Sequence, residues 1–543
     1  MNSLTKGSIA LSPLEVEFCR THDIPLPTDV ALDRLQRMLV FRNSMHLYHG
    51  TCALSGKKIL TSTPPTSGLT VYDVEAWSTD AWDAADYARA YDFSRPFFAQ
   101  FADLMQCVPF PSLGVIRSTM ENSDYTNDVT SAKNCYLLFG ATENENCLFS
   151  HWLWRNRDIV DSIHSFDSEL CYECRDIRRG YRLTFCDHCD ACAESTFLSH
   201  CVQCRNCYGC VNLRHKQFCY QNEQLSQSDY GARLAGLDLG AFTTQERERV
   251  AFVQFKKGFS VPEIEGNSNE TSSGNYLQHT KNCNGCFFVS DAQDCESCIG
   301  VVRAKNCILQ TSYGDGAELV YHSTGVGDQA YNIRFSWECW MNVSDLEYCM
   351  YTSSGSTNCF GCIGLKHKSY CILNRQYSKS EYEESLPRIR AHMRSTGEYG
   401  QFFPAMLSPH AYNQSWADHF LSLSRSNAIA RGFRWNDDEE SAGQTSTLPE
   451  HINDVRDAVL SQTFACSLTG KPYRINRAEL DFYRKMHLPL PRVAPLERIK
   501  RRAVFLSVTE LRETCCSACG SPVQTAQSAD HVMCQNCFGK LRL

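Results

Sequence analysis

The sequence lacks any apolar run near the ~20 residues of a membrane-spanning helix, and its first ten residues lack the charged-then-apolar grading of a secretion signal. We therefore expect no membrane contact and an intracellular, reducing location. An excess of positive charge is also missing, because 53 Lys and Arg stand against 61 Asp and Glu, a net charge of −8. Any contact with nucleic acid must then use a local basic patch.

The sequence also lacks the common catalytic signatures, since it contains no glycine-rich phosphate loop, no GxSxG elbow and no HExxH helix. Four histidines, His151, His164, His188 and His200, have no spacing that assigns them a task. His188 lies between two cysteines and could be a metal ligand, although an outward position is the favoured interpretation. These absences predict a protein that is not an enzyme and has no small-molecule substrate.

Cysteine, in contrast, is abundant, with 31 in 543 residues. The cysteines between 135 and 219 all occupy positions that are multiples of three, and many pairs lie twelve residues apart. Helices repeat near 3.6 residues and half-buried strands repeat at two, so neither explains this spacing. A parallel β-solenoid does, because equivalent residues of stacked coils form ladders along its axis. The cysteines of this region are Cys135, Cys147, Cys171, Cys174, Cys186, Cys189, Cys192, Cys201, Cys204, Cys207, Cys210 and Cys219.

A second cysteine lattice begins at Cys283 and again repeats at twelve residues. Residues 206–230 align without gaps on residues 358–382, at a constant offset of 152. Each half therefore ends in the same terminating element. Charged helical segments at 244–257 and 383–396 follow the terminators and could cover the open end of each stack.

The two ends of the chain are also related, because residues 17–41 match residues 481–505 at a constant offset of 464. The same offset places Cys52 on Cys516 and Ser55 on Cys519, and a small length change then brings Asp73 and Ala76 opposite Cys534 and Cys537. The amino-terminal copy has thus lost three of four ligand positions. It should keep a ribbon-like hairpin without a metal site.

The most specific motif is two CxxC knuckles separated by fourteen residues, Cys516, Cys519, Cys534 and Cys537. Four thiolates at this spacing can surround one zinc ion tetrahedrally. A closed four-cysteine site has no position for water or substrate, so the predicted Zn²⁺ is structural. Two redox dithiols are the alternative, which the absence of a thioredoxin-like βαβ pattern disfavours.

The solenoid cysteines admit three interpretations. As buried thiols they would fill a narrow coil interior where larger residues do not fit. Stacked coils lie about 4.8 Å apart, a spacing that also permits disulfides. Dense groups such as Cys201, Cys204, Cys207 and Cys210 could also bind metal. The reducing location favours free thiols, and the other two interpretations stay open.

A basic segment next to the zinc ribbon is the best local signal for nucleic-acid contact. It lies on a predicted helix that starts near Pro495. An exposed charged helix face explains the same residues equally simply. The candidate contact residues are Arg492, Arg498, Lys500, Arg501 and Arg502.

Several phrases of the sequence resemble a functionally uncharacterised family of cysteine-rich zinc-ribbon and β-solenoid proteins that is widespread in candidate-phyla bacteria. The phrases lie at 92–98, 122–127, 168–174, 207–213 and 343–349. The resemblance implies several CxxC ribbons per chain. Here Cys52/Ser55, Asp73/Ala76, Cys466/Thr469 and Val493/Leu496 stand where paired cysteines are expected. It therefore implies modules that have lost their metal and keep their shape through packing or partners.

Together these observations predict a mainly β fold with two tandem parallel β-solenoid halves of twelve-residue cysteine periodicity, flanked by duplicated zinc-ribbon-like modules and a few helices. The predicted regions are a degenerate ribbon-like module (1–105), the first solenoid half (106–230), a helical cap and linker (231–274), the second solenoid half (275–382), a second cap and linker (383–450) and the carboxy-terminal ribbon module (451–543). The function expected is a non-enzymatic scaffold subunit of a multi-protein assembly, such as a ribonucleoprotein or virus-like particle. A nucleic-acid-binding factor that uses the carboxy-terminal ribbon and basic helix is the alternative, and a β-solenoid enzyme with a surface groove is a third hypothesis.

Overall fold

The computed structural model describes residues 11–437, 446–508 and 510–541 and is mainly β, built around two stacks of short parallel strands. The predicted fold class, a parallel β-solenoid with few helices, is confirmed. The first ten residues and part of the second predicted linker, 438–445, lie outside the described residues, as do 509 and 542–543. Within the described ranges, no helix is both long enough and apolar enough to span a bilayer.

The amino-terminal region combines helices with a small hairpin. Helix α1 begins after Ser12, whose Oγ accepts the N–H of Glu15 at 3.0 Å, and Pro13 occupies the first turn, where a backbone N–H is not needed. Strands β1 and β2 pair antiparallel, and β3 pairs parallel with β4. The elements are α1 (Pro13–Thr21), α2 (Ala31–Leu39), β1 (Tyr48–Thr51), β2 (Lys58–Thr61), β3 (Val71–Tyr72), α3 (Val74–Ser78), α4 (Phe97–Cys107) and β4 (Phe110–Pro111).

The first stack consists of parallel strands that pair at offsets of twelve residues. Ile163 lies opposite Arg175, and Ile177 lies opposite Cys189. The twelve-residue period is therefore confirmed in this half. The strands are β5 (Met120–Glu121), β6 (Thr126–Lys133), β7 (Tyr136–Glu145), β8 (Leu148–Trp154), β9 (Arg157–Val160), β10 (Ile163–Phe166), β11 (Glu169–Tyr172), β12 (Arg175–Arg178), β13 (Tyr181–Thr184), β14 (Asp187–Asp190), β15 (Ala193–Ser199), β16 (Tyr208–Val211), β17 (Cys219–Tyr220) and β18 (Glu223–Gln224).

Left-handed corner residues explain the threefold step inside each coil. Positive φ recurs at every third position, as at Asp158 (54°), Asp161 (53°) and His164 (57°). The residue after each corner faces the interior, and Ile159 there is fully buried. Each such corner costs a residue other than glycine roughly 1–2 kcal/mol. Hydrogen bonds between coils and the packed interior must offset that cost.

The inward positions also need hydrogen-bond acceptors, because their own backbone N–H groups point into the coil. The N–H of Cys174 donates to Ser162 Oγ at 3.1 Å, and the N–H of Cys204 donates to Cys192 Sγ at 3.4 Å. In return, the thiol of Cys201 donates to backbone carbonyls on its own coil and on the next, both at 3.5 Å. Cysteine and serine are therefore suited to these positions by hydrogen bonding as well as by size.

The first stack ends in a short reversal of the chain. Strand β18 folds back antiparallel on β17, and helix α5 follows with Ser226 as its N-cap. Helix α6 then packs on the flank of the coils, where Phe252 contacts Phe197 and Lys256 Nζ lies 2.6 Å from Asp187. The two helices are α5 (Gln227–Leu234) and α6 (Phe242–Lys256).

The second stack begins with an eleven-residue step, in which Gly266 lies opposite Leu277, continues with twelve-residue coils and then changes to thirteen. Gly274 lies opposite Cys286, whereas Ala304 lies opposite Ala317 and Ser344 lies opposite Thr357. The expected strict twelve-residue stacking therefore needs correction in this half. Strand β19 (Val261–Pro262) lies in the segment before this stack and pairs with none of its described strands. The strands of the stack are β20 (Gly266–Asn267), β21 (Gly274–Gln278), β22 (Cys286–Ser290), β23 (Ala304–Ile308), β24 (Ala317–Tyr321), β25 (Thr324–Gly327), β26 (Tyr331–Arg334), β27 (Trp337–Trp340), β28 (Ser344–Glu347), β29 (Thr357–Phe360), β30 (Ser369–Ile372) and β31 (Arg375–Gln376).

The extra residue lies at the same corner of successive coils. Two consecutive residues have positive φ at 328–329, at 341–342 and at 354–355, each pair thirteen residues after the last. Successive coils that share this widened corner pair in parallel at a thirteen-residue offset. The period returns to twelve where Cys359 lies opposite Cys371. As in the first stack, a final antiparallel strand, β31, ends the ladder.

The remaining elements cover the flanks of the stacks and form the carboxy-terminal modules. Ser378 and Glu381 form a capping box at the start of α7, and Asn476 and Glu479 form one at the start of α10. The elements are α7 (Lys379–Ser395), α8 (Trp416–Phe420), α9 (Arg425–Ala430), β32 (Phe464–Ala465), β33 (Pro472–Tyr473), α10 (Arg477–Met486), α11 (Pro495–Ala503), β34 (Arg512–Cys515), β35 (Pro522–Thr525), β36 (Val532–Met533) and α12 (Gln535–Leu541).

An aromatic core joins the two stacks. Trp152 of the first stack lies 5.1 Å from Phe288 of the second and 6.0 Å from Trp416 of α8, between ring centroids. All three side chains are buried. The interior of each stack forms a separate cluster, which contains the lattice cysteines. The stacks are thus packed side by side through aromatic outer faces.

Candidate metal centre

Two short segments present the four cysteines of the carboxy-terminal ribbon. Strands β34 and β35 form an antiparallel hairpin, and at its turn the N–H of Cys516 donates to Ser521 O at 2.8 Å. Gly520 follows with φ of 74°, the left-handed conformation that the turn requires. The second pair lies where β36 leads into α12, with Cys534 between the two elements and Cys537 in the first turn of the helix.

The four sulfur atoms converge. All lie within 4.8 Å of one another, and Cys519 Sγ is 3.9 Å from Cys534 Sγ. Zinc–sulfur bonds of about 2.3 Å in a tetrahedron place neighbouring sulfurs about 3.8 Å apart, so the residues fit a zinc ion. Cys515, the neighbouring surplus cysteine, is exposed and is not part of the cluster.

Backbone N–H groups stabilise the thiolate form of one of these cysteines, Cys516. The N–H of Cys534 donates to Cys516 Sγ at 3.3 Å. Burial raises the pKa of Cys516, but backbone N–H groups of Cys534, Cys519 and Ala518 bring it down to about 6. A thiolate is the form that binds metal. The cluster can therefore hold a metal ion.

The ribbon is attached to the segment that joins the two stacks. Strand β36 pairs parallel with β19, and the N–H of Glu263 donates to Met533 O at 2.8 Å. Thr525 Oγ1 donates to Glu263 O at 2.7 Å, and the N–H of Gln535 donates to Glu263 Oε1 at 3.0 Å. The predicted cap and linker region, 231–274, thus contains the docking strand for the ribbon.

The same turn occurs at Cys52 and Cys466 without its partner cysteines. The N–H of Cys52 donates to Lys57 O at 2.9 Å, and the N–H of Cys466 donates to Lys471 O at 2.9 Å. Cys52 Sγ accepts the N–H of Asp73 at 3.2 Å, just as Cys516 Sγ accepts that of Cys534. The predicted ribbon outline of the amino-terminal copy is present, and the chain contains a third copy between the other two.

The structure does not bring the five predicted nucleic-acid contacts together on one surface. Arg498 is 3% exposed and Arg502 is 7% exposed. Arg498 pairs with Asp161 and with Glu479, whose Oε1 lies 2.7 Å away, and Arg502 Nη2 lies 2.6 Å from Asp161 Oδ1. These two side chains therefore dock α11 onto the first stack and are not available to an external phosphate.

The other three cations differ in their surroundings. Arg492 pairs with Glu450 at 2.6 Å and stacks over Phe242, and Lys500 lies 3.5 Å from Glu497. Arg501 is exposed. The expected basic patch therefore lacks Arg498 and Arg502, whose side chains are buried, and has fewer exposed positive charges than predicted.

The buried Glu–Arg pair is itself duplicated. Arg34 pairs with Glu15, its Nη2 lying 3.0 Å from Oε2, at the offset of 464 from Arg498 and Glu479. Here the group on the solenoid is His322, which contacts Arg34 Nη1. Helices α1 and α2 therefore dock on the second stack, and helices α10 and α11 dock on the first. Both helix pairs use an equivalent Glu–Arg pair to do so.

A group of buried histidines and carboxylates lies near the ribbon, and sequence reasoning missed it. His200 Nε2 is 2.8 Å from Glu265 Oε1, and His188 Nδ1 is 3.1 Å from Asp176 Oδ2. His164 Nδ1 lies 2.9 Å from Asp176 Oδ1. The sequence did contain a signal, because His164, Asp176, His188 and His200 follow one another at twelve-residue intervals. Each occupies the equivalent left-handed corner of its coil, so the four side chains stack along the solenoid. Glu265 comes from outside the lattice and had no such signal.

A groove of about 730 Å³ runs between the first stack and α10. Its carboxylates already have cationic partners: Asp124 lies 2.7 Å from Arg117, Asp158 lies 2.9 Å from Lys485, and Asp481 lies 3.8 Å from Arg477. On its solenoid side, the amides of Asn122, Asn134 and Asn146 bond to one another and to Asp158 along the stack. The groups lining this groove therefore bond mainly to one another.

No protein-family model matches the chain, and no curated protein matches it. One similar solved structure is a protein described as an acetyltransferase from Desulfovibrio desulfuricans, at 9% identity and a TM-score of 0.10. The match covers 49% of this chain and 69% of the other. At that TM-score the likeness does not bear on fold or activity.

Proposed function

We propose that this chain is a non-enzymatic structural scaffold that holds other protein subunits in a larger assembly, a ribonucleoprotein or virus-like particle. One structural zinc ion, bound by Cys516, Cys519, Cys534 and Cys537, stabilises it. The main support for the proposal is that ribbon-like modules occur repeatedly along the chain and that those at its two ends pack against the flanks of the stacks.

The modules at the two ends of the chain are bound to the stacks through buried charged residues. Arg34 and Glu15 fix one helix pair to the second stack, while Arg498 and Glu479 fix the other to the first. Charged pairs buried in this way specify one docking geometry, since leaving either partner unpaired is costly. The modules therefore support a rigid platform.

The thiols offer little access to a substrate. The lattice cysteines are at most 2% exposed, and their sulfurs bond to backbone carbonyls within the coils. In the ribbon, a zinc ion held by four thiolates has no open coordination position, so its contribution is to the stability of the fold. Both features favour a structural role.

One face of the first stack has a charge pattern suited to protein partners. Residues of alternating sign follow one another at twelve-residue steps, 121, 133, 145, 157 and 169. Lys133 lies 3.1 Å from Glu121, and Arg157 lies 2.7 Å from Glu169. Alternating charges cancel at a distance, which disfavours long-range attraction of nucleic acid but permits specific contacts with a complementary protein.

Capture of the full-length protein from its native source, with and without nuclease, tests the scaffold. We expect the same protein neighbours in both samples, and we expect K133E/R157E to lose them. K281E is a matched control, because Lys281 forms a similar exposed pair with Glu270 on the second stack, 3.4 Å apart. Neighbours that disappear after nuclease treatment would contradict a direct protein scaffold.

The alternative, a nucleic-acid-binding factor, is supported by the exposed Arg501 beside the ribbon. A mobility-shift assay with RNA and DNA at several salt concentrations separates the two functions. A shift that weakens steeply with salt and with R501E would favour the alternative. No shift at moderate salt is the result expected for the scaffold.

A further inference from the structure

The buried histidine and carboxylate group lies where three parts of the chain meet. His188 and His200 project from the first stack, Glu265 comes from the segment that joins the stacks, and the ribbon provides Gln527. Ligand atoms of His188, His200 and Glu265 all lie within 4.8 Å of one another. Asp176, on the coil before His188, completes the group through its Oδ2.

The distances between these atoms suit a small ion. They are 2.8 Å from His200 Nε2 to Glu265 Oε1, 3.8 Å from His188 Nδ1 to Glu265 Oε2, and 3.1 Å from His188 Nδ1 to Asp176 Oδ2. Bonds of about 2.0–2.1 Å from nitrogen or oxygen to a tetrahedral ion separate neighbouring ligands by about 3.3 Å. The observed separations lie on both sides of that value, so small side-chain movements would produce the site.

Neighbouring groups already hold the ligands in position. His164 Nδ1 bonds to the other oxygen of Asp176 at 2.9 Å, and Ser199 Oγ bonds to His200 Nδ1 at 3.1 Å. Gln527 Nε2 donates to Glu265 Oε1 at 3.1 Å. Outer hydrogen bonds of this kind fix the tautomer and orientation of ligating side chains.

Burial and charge also favour a cation. Glu265 and His200 are buried, and the side chains of Asp176 and His188 are 17% and 14% exposed. Two carboxylates in so little solvent need compensating positive charge. A divalent ion would provide it directly, while the protons on the imidazoles leave.

We propose that His188, His200, Glu265 and Asp176 bind one divalent transition-metal ion, of which zinc is the best match. Two imidazoles and two carboxylates suit zinc or cobalt better than magnesium or calcium, which prefer all-oxygen sites of higher coordination. This site is separate from the four-cysteine ribbon and does not rest on the proposed function. The ion would link the first stack to the start of the second.

The first test uses the unmodified full-length protein. After incubation with excess Zn²⁺ and desalting, we expect two zinc ions per chain rather than one. X-ray absorption at the zinc edge should show about as many sulfur neighbours as nitrogen and oxygen neighbours together. The reason is that one ion has four sulfur ligands and the other has none. One zinc per chain with sulfur neighbours alone would overturn the proposal without any substitution.

The second test assigns the ion to its ligands. We expect H188Q/H200Q to lose one zinc and the nitrogen or oxygen signal, while C519S/C537S loses the sulfur signal and keeps the other ion. H279Q is the matched control, because His279 bonds to Asp291 across one coil at 3.1 Å but lies exposed. Equal zinc content in H188Q/H200Q and H279Q would contradict the assignment.

Cobalt substitution gives a third measurement. Co²⁺ bound by four cysteines has strong sulfur-to-metal absorption in the near ultraviolet, whereas Co²⁺ bound by histidine and carboxylate lacks it. We expect C519S/C537S loaded with Co²⁺ to retain only weaker visible bands. The loss of all cobalt absorption from that variant would overturn the separate site, and retention with the ribbon destroyed would establish it.

Discussion

The two ends of the chain repeat one design with different chemistry. At the carboxy-terminal end, four sulfurs converge within 4.8 Å, whereas Cys52 in the amino-terminal copy is accompanied by Ser55, Asp73 and Ala76. Cys52 nonetheless accepts the N–H groups of Ser55 and Asp73. The comparison teaches that one sulfur and a hairpin are enough for the outline of the ribbon, whereas the cluster that could hold a metal ion forms where all four cysteines are present.

The helix pairs at the two ends differ in the same way. Glu15 and Arg34 meet His322, while Glu479 and Arg498 meet a further carboxylate, Asp161. An imidazole can adjust its protonation when a partner is lost, whereas a second carboxylate adds to the unpaired charge. The copies should therefore respond differently to the same substitution.

The largest difference should appear when a ligand cysteine is removed. We expect C519S to lose the ribbon zinc and to unfold 510–541 locally, because structural zinc contributes on the order of 10 kcal/mol in small zinc domains. Zinc analysis and hydrogen exchange at Val261 and Glu263, which pair with the ribbon, measure this. C52S should leave both unchanged, and unaltered zinc content in C519S would contradict the assignment.

The next effect concerns the buried arginines. We expect R498M to destabilise the protein by about 3–5 kcal/mol, because it leaves Glu479 short of its main cation beside Asp161. R34M should cost less, since His322 remains beside Glu15. Denaturant unfolding of the two variants measures the difference, and equal losses would show that the solenoid partner does not matter.

Acidification should separate the two glutamates. Burial raises the pKa of Glu15, but hydrogen bonds from His322 and Arg34 lower it to about 2 from 4.5, so its contribution to stability is lost as pH falls from 4.5 towards 2. Burial raises the pKa of Glu479, which means that its contribution is lost as pH rises above 4.5. E15Q should reduce the loss of stability in acid, and E479Q should increase it. Parallel pH profiles for the two variants would contradict this contrast.

The smallest effect should be shared by both ends. Gly56 and Gly520 have φ of 71° and 74°, and an added Cβ would meet no atom within 4 Å at either position. We expect G56A and G520A each to cost about 1–2 kcal/mol through backbone strain alone. Thermal unfolding measures both, and a much larger effect at Gly520 would show that its turn also controls metal binding.

The sequence was informative wherever the pattern is local. The threefold step of the cysteines corresponds to a left-handed corner before each inward residue, and the CxxC spacing located the converging sulfurs. The thirteen-residue coils were missed, although Cys349 and Cys362 already show that spacing. The twelve-residue period of the first stack, where the cysteines are densest, was applied to the whole of the second stack.

Contacts between distant segments could not be predicted in this way. Arg498 and Arg502 had the appearance of a basic helix face because their partner Asp161 lies more than 330 residues earlier. Glu265 had no pattern of its own that could link it to His200. Both cases depend on how modules dock on the stacks, which the local periodicity does not determine.

The antiparallel strands that end each stack have a consequence for assembly. A ladder of parallel coils is a template that a second molecule could extend indefinitely into a fibre. At the ends of the two stacks, β18 and β31 reverse the chain and occupy the exposed edge with strands of two residues. Polymerisation through those edges is thereby blocked, and the length of each rod is set by the number of coils that the chain encodes.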